Sequence, residues 1–118
     1  MAGAQTLEPV RDAVAVSSAV AWINGRQASV AAMSGDGRIS TCEISRGSFS
    51  EGAYLAQVVR LIGDRQRVVI LGPSSVRLAL EREYVAMLQR PDRLVDVEPA
   101  GPVTSEELVD RLRTLADD

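Results

Sequence analysis

The run RVVILGPSSVRLALEREYVAML, residues 67–88, restricts the fold more tightly than any other stretch. Val68 to Leu71 are apolar without a break, the pattern of a strand buried on both faces of a sheet. Gly72-Pro73-Ser74-Ser75 then turns the chain, and the residues that follow carry a helix that Pro91 ends. RLVDVEP resumes as a strand. A strand–helix–strand unit of this length closes with its two strands parallel and its crossover right-handed, which sets Val68–Leu71 and Leu94–Val97 in one sheet.

Upstream the period changes to two. AVAVSSAVAWI suits a strand with its ordered part at Ala19 to Ile23, and Asn24-Gly25 predicts a type I′ hairpin, whose two central positions both need positive φ. RQASVAAMS is the returning strand. After Gly35-Asp36-Gly37, RISTCEI alternates Ile39, Thr41 and Glu43 on one face with Ser40, Cys42 and Ile44 on the other. Beyond the Gly47–Ser50 loop, Tyr54, Leu55, Val58, Val59 and Ile62 recur at helical spacing, and Gly63 supplies a stop. A last helix opens with the capping-box pair Thr104 and Glu107 and presents Leu108, Leu112 and Leu115. The expectation is a single α/β domain over residues 13–118 with a mixed sheet in the order βββαβαβα, preceded by a flexible leader at residues 1–12. With only 3% aromatic residues, the core must be Val, Leu, Ile and Ala. Trp22, beside the hairpin turn, is either a core anchor or part of a partner surface.

Missing residue types narrow the chemistry. There is no His, so neither a Ser-His-Asp triad nor a His-bearing zinc site can form within the chain. All 13 basic residues are Arg, which removes Schiff-base chemistry and a Walker lysine. Cys42 is the one cysteine and has no His or Lys to activate it, so it is expected as a small core or semi-buried residue. Asp36, Glu43, Asp96 and Glu98 read as solvated turn and strand residues rather than a two-metal cluster. No catalytic residue, metal or cofactor is expected. Net charge is −3, which gives no global footprint for nucleic acid. Neither a signal peptide nor a run of about 20 apolar residues is present, so a cytoplasmic location is expected.

Gly72, Ser74, Ser75 and Arg77 form the candidate anion- or ligand-binding turn. Backbone amides at a helix N-terminus attract anions, and Arg77 adds charge. Against this, Pro73 removes a donor, and Ser74 or Ser75 can cap the helix itself.

The order of elements, with VVILGPSSVRLAL and the loop-to-helix run SRGSFSEGAYLAQVVR, resembles the middle domain of the class I release factors of eukaryotes and archaea, of Pelota and of bacterial release-factor-like proteins. The resemblance covers roughly residues 19 to 117 and implies a ribonuclease-H-like layout common among components of the translation machinery. Release factors of that kind carry a Gly-Gly-Gln motif between the third strand and the first helix. Arg46-Gly47-Ser48-Phe49-Ser50 stands there in this chain, without the second Gly and the Gln, so peptidyl-tRNA hydrolysis is not expected.

Two readings follow. One is a non-catalytic binding module that contacts RNA, the ribosome or a protein partner, with Trp22, Arg26 and Arg46 as a possible partner surface and Arg26, Arg38, Arg46, Arg60, Arg65 and Arg67 as a possible Arg cluster. The other is a domain that binds a small anionic ligand, a nucleotide or phosphometabolite, at Gly72–Ser75. Either could act as a homodimer, because the meander leaves a strand edge to be covered or paired.

Overall fold

The computed structural model describes residues 16–117, so the expected leader at residues 1–12 lies outside the described residues. The elements are β1 (Ser18–Ile23), β2 (Gln27–Met33), β3 (Ile39–Ser45), α1 (Glu51–Ile62), β4 (Arg67–Gly72), α2 (Val76–Leu88), a 3-10 turn at Pro91–Arg93, β5 (Leu94–Pro99) and α3 (Ser105–Asp117). The five strands form one mixed sheet in the order β3-β2-β1-β4-β5. β2 is antiparallel to both β1 and β3, whereas β4 is parallel to both β1 and β5. This is the α/β architecture that the sequence pattern predicts.

Two cores sandwich the sheet because the inner strands β1 and β4 are apolar on both faces through Ala19–Ile23 and Val68–Leu71. On one face Ala19, Ala21, Ile23, Val68 and Ile70 pack with Tyr54, Leu55, Val58, Val59 and Ile62 of α1 and with Leu80 and Tyr84 of α2. Alanines on the strands leave room there, and the rings of Tyr54 and Tyr84 are fully buried in the same core. On the other face Val20, Trp22, Ala31, Met33, Val69 and Leu71 pack with Leu108, Leu112 and Leu115 of α3. Each Val, Leu, Ile or Met among them contributes about 1.5–3 kcal/mol of gross burial energy. That is why these positions, rather than helix propensity, decide where the helices dock.

Helix ends follow local chemistry. The Ser50 hydroxyl accepts from the Ala53 amide at 3.2 Å, and Gly63, at φ 72°, donates its amide to Val59. In α3 the Thr104 amide donates to Glu107 Oε1 at 2.7 Å while the Glu107 amide donates to Thr104 Oγ1 at 3.1 Å, a closed capping box. Trp22, 5% exposed, packs into the core on the α3 face of the sheet. Its indole Nε1 donates to the Gly101 carbonyl at 2.9 Å and ties β1 to the segment that leads into α3.

Two further expectations are corrected. The hairpin is not type I′: Gly25 and Arg26 occupy its centre, and neither has a positive φ. Asn24 shapes the turn instead, its Oδ1 accepting from the amides of Arg26 and Gln27 at 2.8 Å each. Cys42 is exposed rather than semi-buried. β3 is an edge strand that no helix covers fully, and its residues 40–43 are all exposed.

Candidate binding face at the carboxyl ends of the strands

β1, β3, β4 and β5 point the same way, so their carboxyl ends share one edge of the sheet. Four connections gather there: the Asn24–Arg26 turn, the Arg46–Ser50 loop, the Gly72–Ser75 turn and the segment after Pro99. Backbone contacts lace them together. The Arg46 amide donates to the Arg26 carbonyl at 2.8 Å, and the Ala100 amide donates to the Gly72 carbonyl at 2.9 Å. From α1, the Tyr54 hydroxyl donates to the Asn24 carbonyl at 3.0 Å. Burial pushes that phenol up to about 12, against a weaker opposing pull from Arg46.

Gly72 holds this edge closed. A Cβ at this position would lie 2.3 Å from the Ile23 carbonyl oxygen, so only glycine lets β4 run this close to the end of β1. The turn after it caps α2 only weakly, through Ser74 rather than Ser75. Ser75 is already helical, at φ −65° and ψ −9°, and its side chain makes no cap bond; the Ser74 hydroxyl accepts a long 3.4 Å bond from the Val76 amide. Arg77 folds back over the turn and donates from Nη1 to the Ser74 carbonyl at 2.9 Å and to the Gly72 carbonyl at 3.5 Å. Its Nε is buried without a partner.

The Arg46–Ser50 loop is a tight turn. The Phe49 amide donates to the Arg46 carbonyl at 2.9 Å, and Arg46 Nε donates back to the Phe49 carbonyl at 3.0 Å. Gly47, at φ 54°, supplies the left-handed residue the turn needs. Phe49 itself is left 44% exposed. The loop's composition does not single this ring out for a role, although a signal is legible: the single Phe of the chain sits among Gly, Ser and Arg with no periodic apolar partner.

The six arginines of the expected cluster divide. Arg26 and Arg46 lie at the carboxyl edge, whereas Arg38 sits in the β2–β3 turn and pairs with Asp36 at 3.8 Å. Arg60, Arg65 and Arg67 flank the opposite edge, where Arg65 Nε donates to the Ile62 carbonyl and Arg67 donates to the Leu115 carbonyl. No ion pair joins Arg26, Arg46 or Arg77 to another described residue, in contrast to Arg90–Asp92, Arg93–Asp64, Arg111–Glu98 and Arg113–Asp110.

The carboxylates stay apart. Asp36 is held below the usual carboxylate range first by the Ser34 hydroxyl and then by the Arg38 amide. Arg111 grips both oxygens of Glu98 and, with a smaller contribution from Asp96, holds it down to about 2. Among the described residues no three acidic or Cys side chains come together where they could hold a metal ion. An open groove of 640 Å³ runs between β3 and α3, lined by Thr41, Ser105, Glu106, Val109, Asp110 and Arg113, and contains none of the expected site residues.

No family model and no curated protein matches the sequence. Among solved structures, the chain is similar to Pelota from Archaeoglobus fulgidus, with a TM-score of 0.65 at 14% identity, covering 97% of this chain and 36% of that one. It is also similar to Pelota from Thermoplasma acidophilum, with a TM-score of 0.59 at 23% identity, covering 88% of this chain and 34% of that one. The fold is Pelota-like. This chain spans about a third of the length of those Pelota chains. Among the described residues no helix is long and apolar enough to cross a membrane.

Proposed function

We propose that the chain is a translation-associated binding module, not a hydrolase, and that it docks through the carboxyl edge of its sheet. The observation that carries this reading is the convergence there of Arg26, Arg46 and the Gly72–Arg77 junction, three guanidinium groups with no carboxylate partner among the described residues. Open α/β sheets place their ligands at this edge as a rule. The Pelota-like fold supports a role beside the ribosome, and the absence of Gly-Gly-Gln from the Arg46–Ser50 loop supports a non-catalytic one. Co-sedimentation with ribosomes of the native cell tests the proposal. The wild-type chain pellets with ribosomes, R26E/R46E is weakened by about tenfold or more, and R82E on the exposed side of α2 is unchanged. A wild-type chain that stays in the supernatant, or three proteins that behave alike, overturns it.

A second reading keeps the small anionic ligand at the Gly72–Ser75 turn. Exposed Ser74 and Ser75 beside Arg77, with its partnerless buried Nε, favour it. Pro73 and the commitment of Arg77 Nη1 to two carbonyls count against it. A thermal-shift screen of nucleotides and sugar phosphates decides the point, because a ligand at a hundred times its Kd stabilises by about 2.7 kcal/mol.

A further inference from the structure

We propose that Phe49, flanked by Arg26 and Arg46, is a stacking platform for single-stranded RNA. The proposal rests on the carboxyl-edge reading and names the partner that edge receives. Three observations bear on it. Phe49 is a large ring, 44% exposed, that closes a turn made rigid by two reciprocal bonds with Arg46 and by the Ser50 cap of α1. Along the loop its neighbours are Gly47, Ser48 and Ser50, so no other apolar side chain of the loop accompanies the ring, whereas the centre of a protein interface is a packed apolar cluster. One ring is the area that a single base covers, and every base has a face to stack on it.

Charge is placed to match. The Arg46 amide is bonded to the Arg26 carbonyl and Arg46 Nε to the Phe49 carbonyl, which sets both residues beside the loop that carries the ring. Farther along the same edge, Arg77 lies at the end of β4, three strand spacings from the end of β3, or about 14 Å. A strand of nucleic acid laid across the carboxyl edge would therefore meet a stacking face first and guanidinium groups at intervals after it. Glu51 and Glu43 are the acidic groups nearest in the chain, and Glu51 lies in the first turn of α1, where it answers the helix dipole. Duplex RNA offers no free base face, so the platform discriminates against it.

Fluorescence anisotropy with a labelled single-stranded oligoadenylate and a duplex RNA of the same length tests the inference on the full chain. Single-stranded RNA binds and the duplex binds more weakly. F49A lowers affinity by about five- to a hundredfold, and F49W restores it. R26Q/R46Q flattens the slope of log K against log salt by about 1.4, two phosphate contacts at about 0.7 each. Because Phe49 is exposed, circular dichroism of F49A should match wild type. Equal binding by F49A and wild type, or no binding to oligoadenylate at low salt, overturns the inference. Ribosome co-sedimentation of the same proteins separates the two proposals: if F49A still pellets with ribosomes while no oligonucleotide binds, the stacking platform fails and the docking edge stands.

Discussion

Replacing Gly72 with alanine should loosen the candidate face where β4 runs closest to the end of β1. The added Cβ would sit 2.3 Å from the Ile23 carbonyl oxygen, where an ordinary carbon–oxygen contact needs about 3.3 Å. The obstacle is backbone, so no rotamer relieves it, and β1 and β4 must separate by about 1 Å at their carboxyl ends. That movement strains the last parallel pairing, Trp22 with Leu71, and the bond from the Ala100 amide to the Gly72 carbonyl. Two weakened hydrogen bonds at about 1 kcal/mol each, plus about 1–3 kcal/mol for the overpacking itself, give a loss of about 3–5 kcal/mol. With a urea m-value near 1.5 kcal/mol/M for a chain this size, the unfolding midpoint falls by about 2–3.3 M. Trp22, the single tryptophan and 5% exposed, reports the transition by its own fluorescence. Gly101→Ala is the control, because nothing lies within 4 Å of a Cβ there and its φ is not positive. A midpoint for Gly72→Ala that matches Gly101→Ala would refute the close-approach argument.

Four other outcomes follow from named contacts. Tyr54→Phe removes the bond to the Asn24 carbonyl and should cost about 1 kcal/mol, while Tyr84→Phe removes a buried hydroxyl that has no partner and should be neutral or slightly stabilising; urea titration of both variants compares them directly. Because burial raises the Tyr54 phenol to about 12, its contribution is present below pH 10 and lost as pH rises toward 12, which absorbance titration of the phenolate checks. Glu98 runs the other way. Its folded pKa is depressed to about 2, so its contribution is present above the usual value of 4.5 and fades as pH falls toward 2; Glu98→Gln should cost about 1 kcal/mol at pH 7, screened by half-exposed surroundings, and almost nothing at pH 2. Gly52→Ala, exposed near the start of α1, should raise stability by about 0.5–1 kcal/mol in the same titration.

Periodicity carried most of the fold. The α1 set Tyr54, Leu55, Val58, Val59 and Ile62 and the α3 set Leu108, Leu112 and Leu115 are buried as their spacing requires, because a helix shows one stripe and each face of the sheet offers an apolar surface to receive it. The apolar run of β4 marked a strand with a core on each side. Local signals failed where a tertiary contact outweighed them. Asn24-Gly25 has the composition of a type I′ turn, yet the Asn24 side chain bonds forward to two amides, and its carbonyl is taken by Tyr54 from another element. Cys42 alternates like a buried strand residue but falls on an edge that α1 does not reach, and alternation alone cannot say where a helix stops. The candidate edge was half legible: Gly72–Arg77 and Arg46 stood out by residue type, but their meeting on one edge depends on strand order.

That strand order also bears on self-association, which the exposed edge of β3 invites. Two copies pairing antiparallel through β3 must choose a centre residue, and each choice is penalised. Centred on Cys42, Arg38 faces Arg46 of the second copy; centred on Glu43, the two carboxylates face each other; centred on Thr41, Ile39 faces Glu43 and Arg38 faces Ile44. Centring on Ser40 leaves little more than residues 38–42 to pair. Like charges directly opposite destabilise a sheet, and charges near the ends of an edge strand are a common device against edge-to-edge pairing. With Ser40, Thr41, Cys42 and Glu43 all exposed, the strand has little apolar area to gain in return. Sedimentation equilibrium should therefore give the mass of a monomer, with Cys42 reacting at once with a thiol reagent in the native state. A dimer that Thr41→Pro dissociates would show that β3 pairs with itself in spite of these charges.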